Sequence, residues 1–175
     1  MIYLANYSFP IRFLNRFSDI GIFPGTFDPV HYGHIEFADK VICSSNLSLV
    51  LFLPHIFSKR KTPSSLDSRI SFLKSELKSS FCLGVLEIPV DIQNGFRDED
   101  NNWVKNLVSY LQFYSPNSNF SRLFGSDRVS KIDTNLFVNN YCGTRGKSFL
   151  DYDRSSGIKF IFTPDISSSK IRNNS

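Results

Sequence analysis

DIGIFPGTFDPVHYGHI, residues 19–35, holds a strand signal, a glycine turn and a helix start in one short run. The apolar residues from Asp19 to Phe23 read as a buried strand. Gly25 opens the turn, Pro29 suits a helix start, and from Val30 to about Ser44 the apolar residues recur at helical spacing. A strand that passes through a tight turn into a helix is the opening of a βαβ unit, and it sets the fold class as α/β.

The same alternation continues outward from there. LSLVLFLP (47–54) is an almost unbroken apolar strand. The segment 65–80 follows as a helix, with Leu66, Ile70, Phe72, Leu73 and Leu77 largely on one face and Ser65 as its cap. FCLGVLEIPV (81–90) reads as a strand and DIQNGFRDEDNN (91–102) as a polar loop. WVKNLVSYLQFY (103–114) returns to helical period through Trp103, Leu107, Tyr110 and Leu111. SRLFGSD (121–127) is a short strand ending in a glycine turn, GIKFIFTP (157–164) the last strand, and SSSKIR (167–172) the start of a final helix. Between them, 133–156 is the least readable stretch, with a weak strand near 137–141 followed by a loop. The pattern predicts a Rossmann-like doubly wound parallel sheet in one domain, 19–175, preceded by an N-terminal extension, 1–18.

The bulk composition agrees. The 175 residues suffice for one core without disulfides or metals to stabilise it, and 41% hydrophobic content with 18 phenylalanines is that of a globular chain. A net charge of +4 favours anionic partners, but the 20 basic residues are scattered, so nucleic-acid binding does not follow. The densest cluster, Lys59, Arg60 and Lys61, is of a size to serve a single polyphosphate. Cys43, Cys82 and Cys142 are far apart with no metal-ligand spacing, which points to a reducing, cytoplasmic setting and away from structural zinc. No run has the length of a membrane span. Residues 1–18 contain Arg12 and Arg16 but no acid before Ser18, a faint likeness to an organellar presequence. GKS at 146–148 ends like a P-loop, but Tyr141 stands where that motif needs its first glycine, so a Walker NTPase is rejected.

In a parallel α/β sheet, ligands gather beyond the carboxyl ends of strands, and the turn at 25–34 falls there. Two of the chain's three histidines, His31 and His34, lie three residues apart at the helix start, so both imidazoles can face one side. A helix N-terminus with two adjacent N–H donors is suited to phosphate oxygens, because phosphoryl and nucleotidyl transfer depend mostly on positioning and charge stabilisation.

These residues also carry a family resemblance. GTFDPVHYGHI resembles the first motif of the HxGH nucleotidyltransferase superfamily, and FDPVHYGH is most similar to that of nicotinate/nicotinamide mononucleotide adenylyltransferases. DISSSKIR (165–172) resembles the second motif, ISSTxIR, with Ser169 at the usual threonine. The loop PHIFSKRKTPSSLDSR (54–69) is similar to one that carries a substrate-facing lysine before an arginine-bearing helix. NNWVKNLVSYL resembles a helix whose tryptophan stacks on the pyridine ring of the substrate, with Asn106 replacing the usual threonine.

The resemblance implies adenylyl transfer from ATP, with Mg²⁺, to a pyridine mononucleotide. It implies catalytic roles for His31, His34, Lys61 and Arg172. ATP contacts are implied for Gly25, Thr26, Phe27, His31, His34, Gly125, Asp127, Ser167, Ser168, Ser169 and Arg172. Mononucleotide contacts are implied for Lys59, Lys61, Arg69, Trp103 and Asn106, with no resident metal site. Several readings stay open at this level. Arg69 is a phosphate contact or a helix-surface charge, Asp127 a ribose acceptor or a turn cap, and Trp103 a stacking platform or a core residue. A phosphopantetheine or cytidylyl transferase, and a nucleotide-binding relic without turnover, are the competing functions. Neither nucleic acid nor membrane is an expected partner. The oligomeric state is open, a homo-oligomer included, and relative to the family the C-terminus after the second motif is short.

Overall fold

The structure is a computed structural model that describes residues 1–57, 63–97, 103–126, 128, 133–145 and 157–163. Among the described residues the strands are β1 (Ile2–Leu4), β2 (Tyr7–Phe9), β3 (Asp19–Gly25), β4 (Leu49–Pro54), β5 (Leu83–Leu86), β6 (Asn119–Gly125), β7 (Asn140–Arg145) and β8 (Ile158–Thr163). The helices are α1 (Tyr32–Cys43), α2 (Leu66–Leu77), α3 (Val90–Gly95) and α4 (Trp103–Tyr114).

All eight strands join one sheet in the order β2-β1-β5-β4-β3-β6-β7-β8. From β5 to β8 every pairing is parallel, whereas β1 pairs antiparallel with both β2 and β5. The chain builds outward from β3 to β4 and β5 on one side, then crosses back to add β6, β7 and β8 on the other. That reversal beside β3 is a topological switch point, where the helices diverge and leave a crevice at the carboxyl edge.

The strands are buried on both faces, which explains why β4 is apolar at every position. One face packs Ile20, Ile22, Leu49, Leu51 and Leu53 against Phe96 and against Leu107, Val108 and Leu111 of α4. The other packs Phe23, Val50 and Phe52 against Phe37, Ala38 and Val41 of α1 and Ile70, Leu73 and Leu77 of α2. Each such side chain contributes roughly 1.5–3 kcal/mol by leaving water, so the alternating faces of β3 and β4 carry much of the fold's stability.

Helices on both faces of a mostly parallel sheet are the doubly wound architecture expected. Ser65 does cap α2, its hydroxyl accepting from the Ser68 N–H at 3.2 Å. Three local readings change. Residues 90–95 form α3 within what reads as strand end and loop. Residues 134–136 form a single 3-10 turn, so the expected strand near 137–141 begins only at Asn140. The stretch taken as an N-terminal extension is built into the sheet. β1 and β2 close its edge, and Ile2 and Leu14 are fully buried. Among the described residues no helix is long and apolar enough to cross a membrane.

Candidate active site

β3 delivers Gly25 to the carboxyl edge in register with Pro54 of β4, and the next N–H, that of His55, donates to the Gly25 carbonyl at 3.1 Å. A side chain at Gly25 would collide with the Phe27 ring, which would lie 2.6 Å from its Cβ. The turn needs this glycine because Phe27 folds back over it. Phe27 itself adopts φ +48°, an uncommon backbone for a residue with a side chain, and its ring is held edge-on to Phe23 and against Phe52.

The first helical residue is Tyr32, not Val30, which makes His31 the N-cap and His34 the third residue of the helix. His34 Nδ1 accepts the His31 backbone N–H at 3.2 Å, and the His34 N–H donates to the His31 carbonyl at 2.9 Å. An accepting Nδ1 puts the ring proton on Nε2, so His34 presents an N–H donor on its far side. The two imidazoles stack with centroids 3.7 Å apart and planes 26° from parallel. His34 is also met edge-on by Phe23 and Phe27 at 5.9 and 5.2 Å. The i, i+3 spacing therefore does bring both rings to one side, on a helix N-terminus at the switch point.

Two side chains lock this loop to its surroundings. The Asp28 carboxylate accepts from the Ser64 N–H at 3.2 Å and from the Ser64 hydroxyl at 2.8 Å. Arg69 is not an exposed helix charge. It is 4% exposed and donates to three backbone carbonyls: Ser64 at 3.0 Å, Thr26 at 2.7 Å and His55 at 3.1 Å. Burial lowers its pKa and Asp28 opposes that shift. A guanidinium shared among three loops is a clamp on the turns leaving β3 and β4.

Across the β4 exit lies a second group of rings that sequence reasoning missed in part. His55 stands 5.4 Å from Trp103 and 6.1 Å from Phe57, and Phe57 lies 5.4 Å from Trp103. Trp103 is half-buried at the start of α4, on the same edge of the sheet as Gly25. His55 Nδ1 accepts the Phe57 N–H at 3.2 Å, leaving Nε2 as its donor. Burial, and then the charges of Arg128 and Arg69, push the His55 imidazole down to about 4, so it is neutral in the physiological range. Arg122 on β6 is likewise pushed down to about 10, by burial first and Arg128 second. The positive charges of Arg69, Arg122 and Arg128, all felt by His55, make a field that favours an anionic ligand. The signal for His55 was its position, the first residue past an apolar strand on the ligand-binding edge.

Asn106 turns its amide to the Phe96 carbonyl at 2.9 Å and so braces α4 against the end of α3. Gly125 ends β6 beside β3. Lys59, Lys61, Asp127, Ser167, Ser168, Ser169 and Arg172 lie outside the described residues. Among the described residues no group of three or more His, Cys, Asp or Glu side chains is arranged to hold a metal ion.

A doubly wound sheet with a glycine turn and a stacked histidine pair at its switch point defines a nucleotide-handling α/β class. The comparison with known families is specific within that class. The cytidylyltransferase-like family model matches residues 22–174, and the chain belongs to this family. It is 26% identical over 177 aligned residues to a probable nicotinate-nucleotide adenylyltransferase of Clostridium botulinum, covering 87% of this chain and 84% of the relative. It is 29% identical over 141 aligned residues to the nicotinate-nucleotide adenylyltransferase of Bacillus subtilis, covering 74% and 70%. The fold is similar to that of Plasmodium falciparum nicotinic acid mononucleotide adenylyltransferase complexed with NaAD, with a TM-score of 0.60, 18% identity, and 89% and 83% coverage.

Proposed function

We propose that this chain is a nucleotidyltransferase that moves the adenylyl group of ATP onto nicotinate or nicotinamide mononucleotide, releasing pyrophosphate. The observation that carries the reading is the His31–His34 stack at the N-terminus of α1, in a cytidylyltransferase-like chain whose relatives bear the adenylyltransferase name. The 5′-phosphate oxygen of the mononucleotide attacks the α-phosphorus of ATP. As that P–O bond forms, the bond to the bridging oxygen of the β-phosphate breaks and pyrophosphate leaves. No covalent intermediate on the protein is required.

In this reading the chain supplies positioning and charge. The Nε2–H of His34, His31 beside it and the amides of the α1 N-terminus hold phosphate oxygens and stabilise the charge that builds on them. Lys61 and Arg172 are assigned to the transferring and leaving phosphates. Lys59, Gly25, Thr26, Phe27, Gly125, Asp127 and Ser167 to Ser169 are assigned to the surrounding substrate pocket. Mg²⁺ carried in with ATP would supply further positive charge against the leaving pyrophosphate. Trp103 offers a ring face for the pyridine, and its place at the β4 exit within contact of His55 supports that assignment. The compartment proposed is the cytoplasm, in keeping with cysteines that form no disulfide among the described residues.

Purified protein incubated with ATP, Mg²⁺ and each pyridine mononucleotide in turn should form the corresponding dinucleotide and pyrophosphate. Absence of dinucleotide from both, with product appearing instead from phosphopantetheine or a cytidylyl donor, would overturn the assignment.

A further inference from the structure

Gln93 lies on α3, in a stretch whose sequence reads as loop, yet it is only 2% exposed. Its amide is engaged at both ends. Oε1 accepts the Ile56 N–H at 3.2 Å, while Nε2 donates to the Ile88 carbonyl at 2.8 Å and the Pro54 carbonyl at 3.4 Å. Two of these partners belong to the exit of β4 and the third to the chain just past β5. A buried amide with three backbone partners resists displacement, because any movement leaves polar groups without water or a replacement.

The segment so braced, 54–57, carries His55 and Phe57 into contact with Trp103. The far side of the same ring group is fixed from the chain just past α3, since the Arg97 guanidinium sits 4.6 Å over Phe57 and Asn106 bonds the Phe96 carbonyl. The histidine pair is held differently. It rests on its own helix cap and on Phe23 and Phe27, in the core on the opposite face of the sheet, and none of the Gln93 bonds reaches it.

We propose that Gln93 is a positioning residue for the acceptor mononucleotide: by fixing the 54–57 segment it sets His55 and Phe57 against Trp103 and so shapes the wall that receives the pyridine ring. The inference rests on the function proposed above. ATP handling depends mainly on the other side of the cleft, which meets the 54–57 segment through the Gly25–His55 bond and the Arg69 clamp rather than through Gln93, so losing Gln93 affects the mononucleotide first.

Trp103 is the chain's only tryptophan, so its emission reports on this wall directly. Gln93→Met keeps the side-chain length and removes all three hydrogen bonds. Gln93→Asn keeps the amide one methylene short and replaces it if the methionine variant does not fold. The expected result is a red-shifted ligand-free emission and a Kd for nicotinate mononucleotide raised about ten-fold by fluorescence titration. The KM for ATP should stay within about two-fold of the parent value. Equal losses for both substrates, an unchanged mononucleotide Kd, or failure of both variants to fold would make Gln93 a stability residue and overturn the proposal. A parent chain that binds no pyridine mononucleotide overturns the proposed function instead. In that event the ligand-free emission still decides Gln93, and an unshifted maximum rejects its positioning role.

Discussion

The two walls of the cleft are built by opposite means. On the α1 side, one continuous run from Gly25 to His34 supplies the glycine, the turn, the cap and both histidines. On the α4 side, His55, Phe57, Gln93 and Trp103 come from separate segments and meet only because β4, α3 and α4 pack together. A wall made from one run of sequence responds to substitution in place. A wall assembled from distant segments responds through whatever holds the segments in register, here Gln93 and Arg69.

Substitutions can break that contrast, and the largest effect should come from the compact wall. Replacing both His31 and His34 by alanine should lower kcat for dinucleotide formation roughly 10²–10³-fold, with the mononucleotide KM nearly unchanged. A KM effect without a kcat effect would erase the distinction between the walls.

Arg69 ties the two sides together through the Thr26 and His55 carbonyls, so it should obey neither pattern. Arg69→Met should cost about 30-fold in kcat/KM, spread over both parameters, and lower the melting midpoint by on the order of 5–10 °C. Full activity with a lowered midpoint would show that the clamp serves stability alone.

Trp103→Ala sharpens the contrast from the assembled side. The mononucleotide KM should rise about ten-fold while the KM for ATP holds, as read in steady-state assays with each substrate varied.

The smallest effect concerns pH. Folded His55 takes a proton only near 4, whereas an unfolded imidazole does so near 6.5. As pH falls through that window the unfolded chain binds the proton first, so stability declines from about pH 6.5 down to about 4 and the loss then levels off. By pH 5.5 the loss should reach about 1 kcal/mol in denaturant melts, and His55→Gln should abolish it. A parent curve as flat as the variant's would mean that His55 is not buried against Arg69 and Arg128.

The contrast also marks what sequence could disclose. β3, the turn and α1 were legible because one short run holds the apolar strand, the glycine and the helical period, and the histidine spacing already placed both rings on one side. β4, α2 with its Ser65 cap, α4 and β8 were legible for the same local reasons. α3 was not, since six residues are too few to display a 3.6-residue period. β7 began later than expected because Phe137 earns its burial from the turn at 134–136 rather than from a strand. Nor could composition reveal that β1 pairs with β5, or that the Arg69 guanidinium turns inward, because both depend on partners distant in the chain. His55 lay between these cases. Its position at a strand exit was visible, and its neighbours were not.

The N-terminal hairpin gives the fold an order in time. β1 pairs with the adjacent β2, but Ile2 also pairs with Leu86, so the β1–β2 hairpin leaves the ribosome before β3, α1, β4 and α2 and cannot join the sheet until β5 has emerged. At synthesis rates of about 5–20 residues per second this wait lasts several seconds, during which β3, β4 and the α1 turn can already associate. The β1–β2 hairpin is thus made before the parallel strands it joins and docks only after β5. Until it does, the open edge of β5 is where a nascent chain is most exposed to pairing with a stranger.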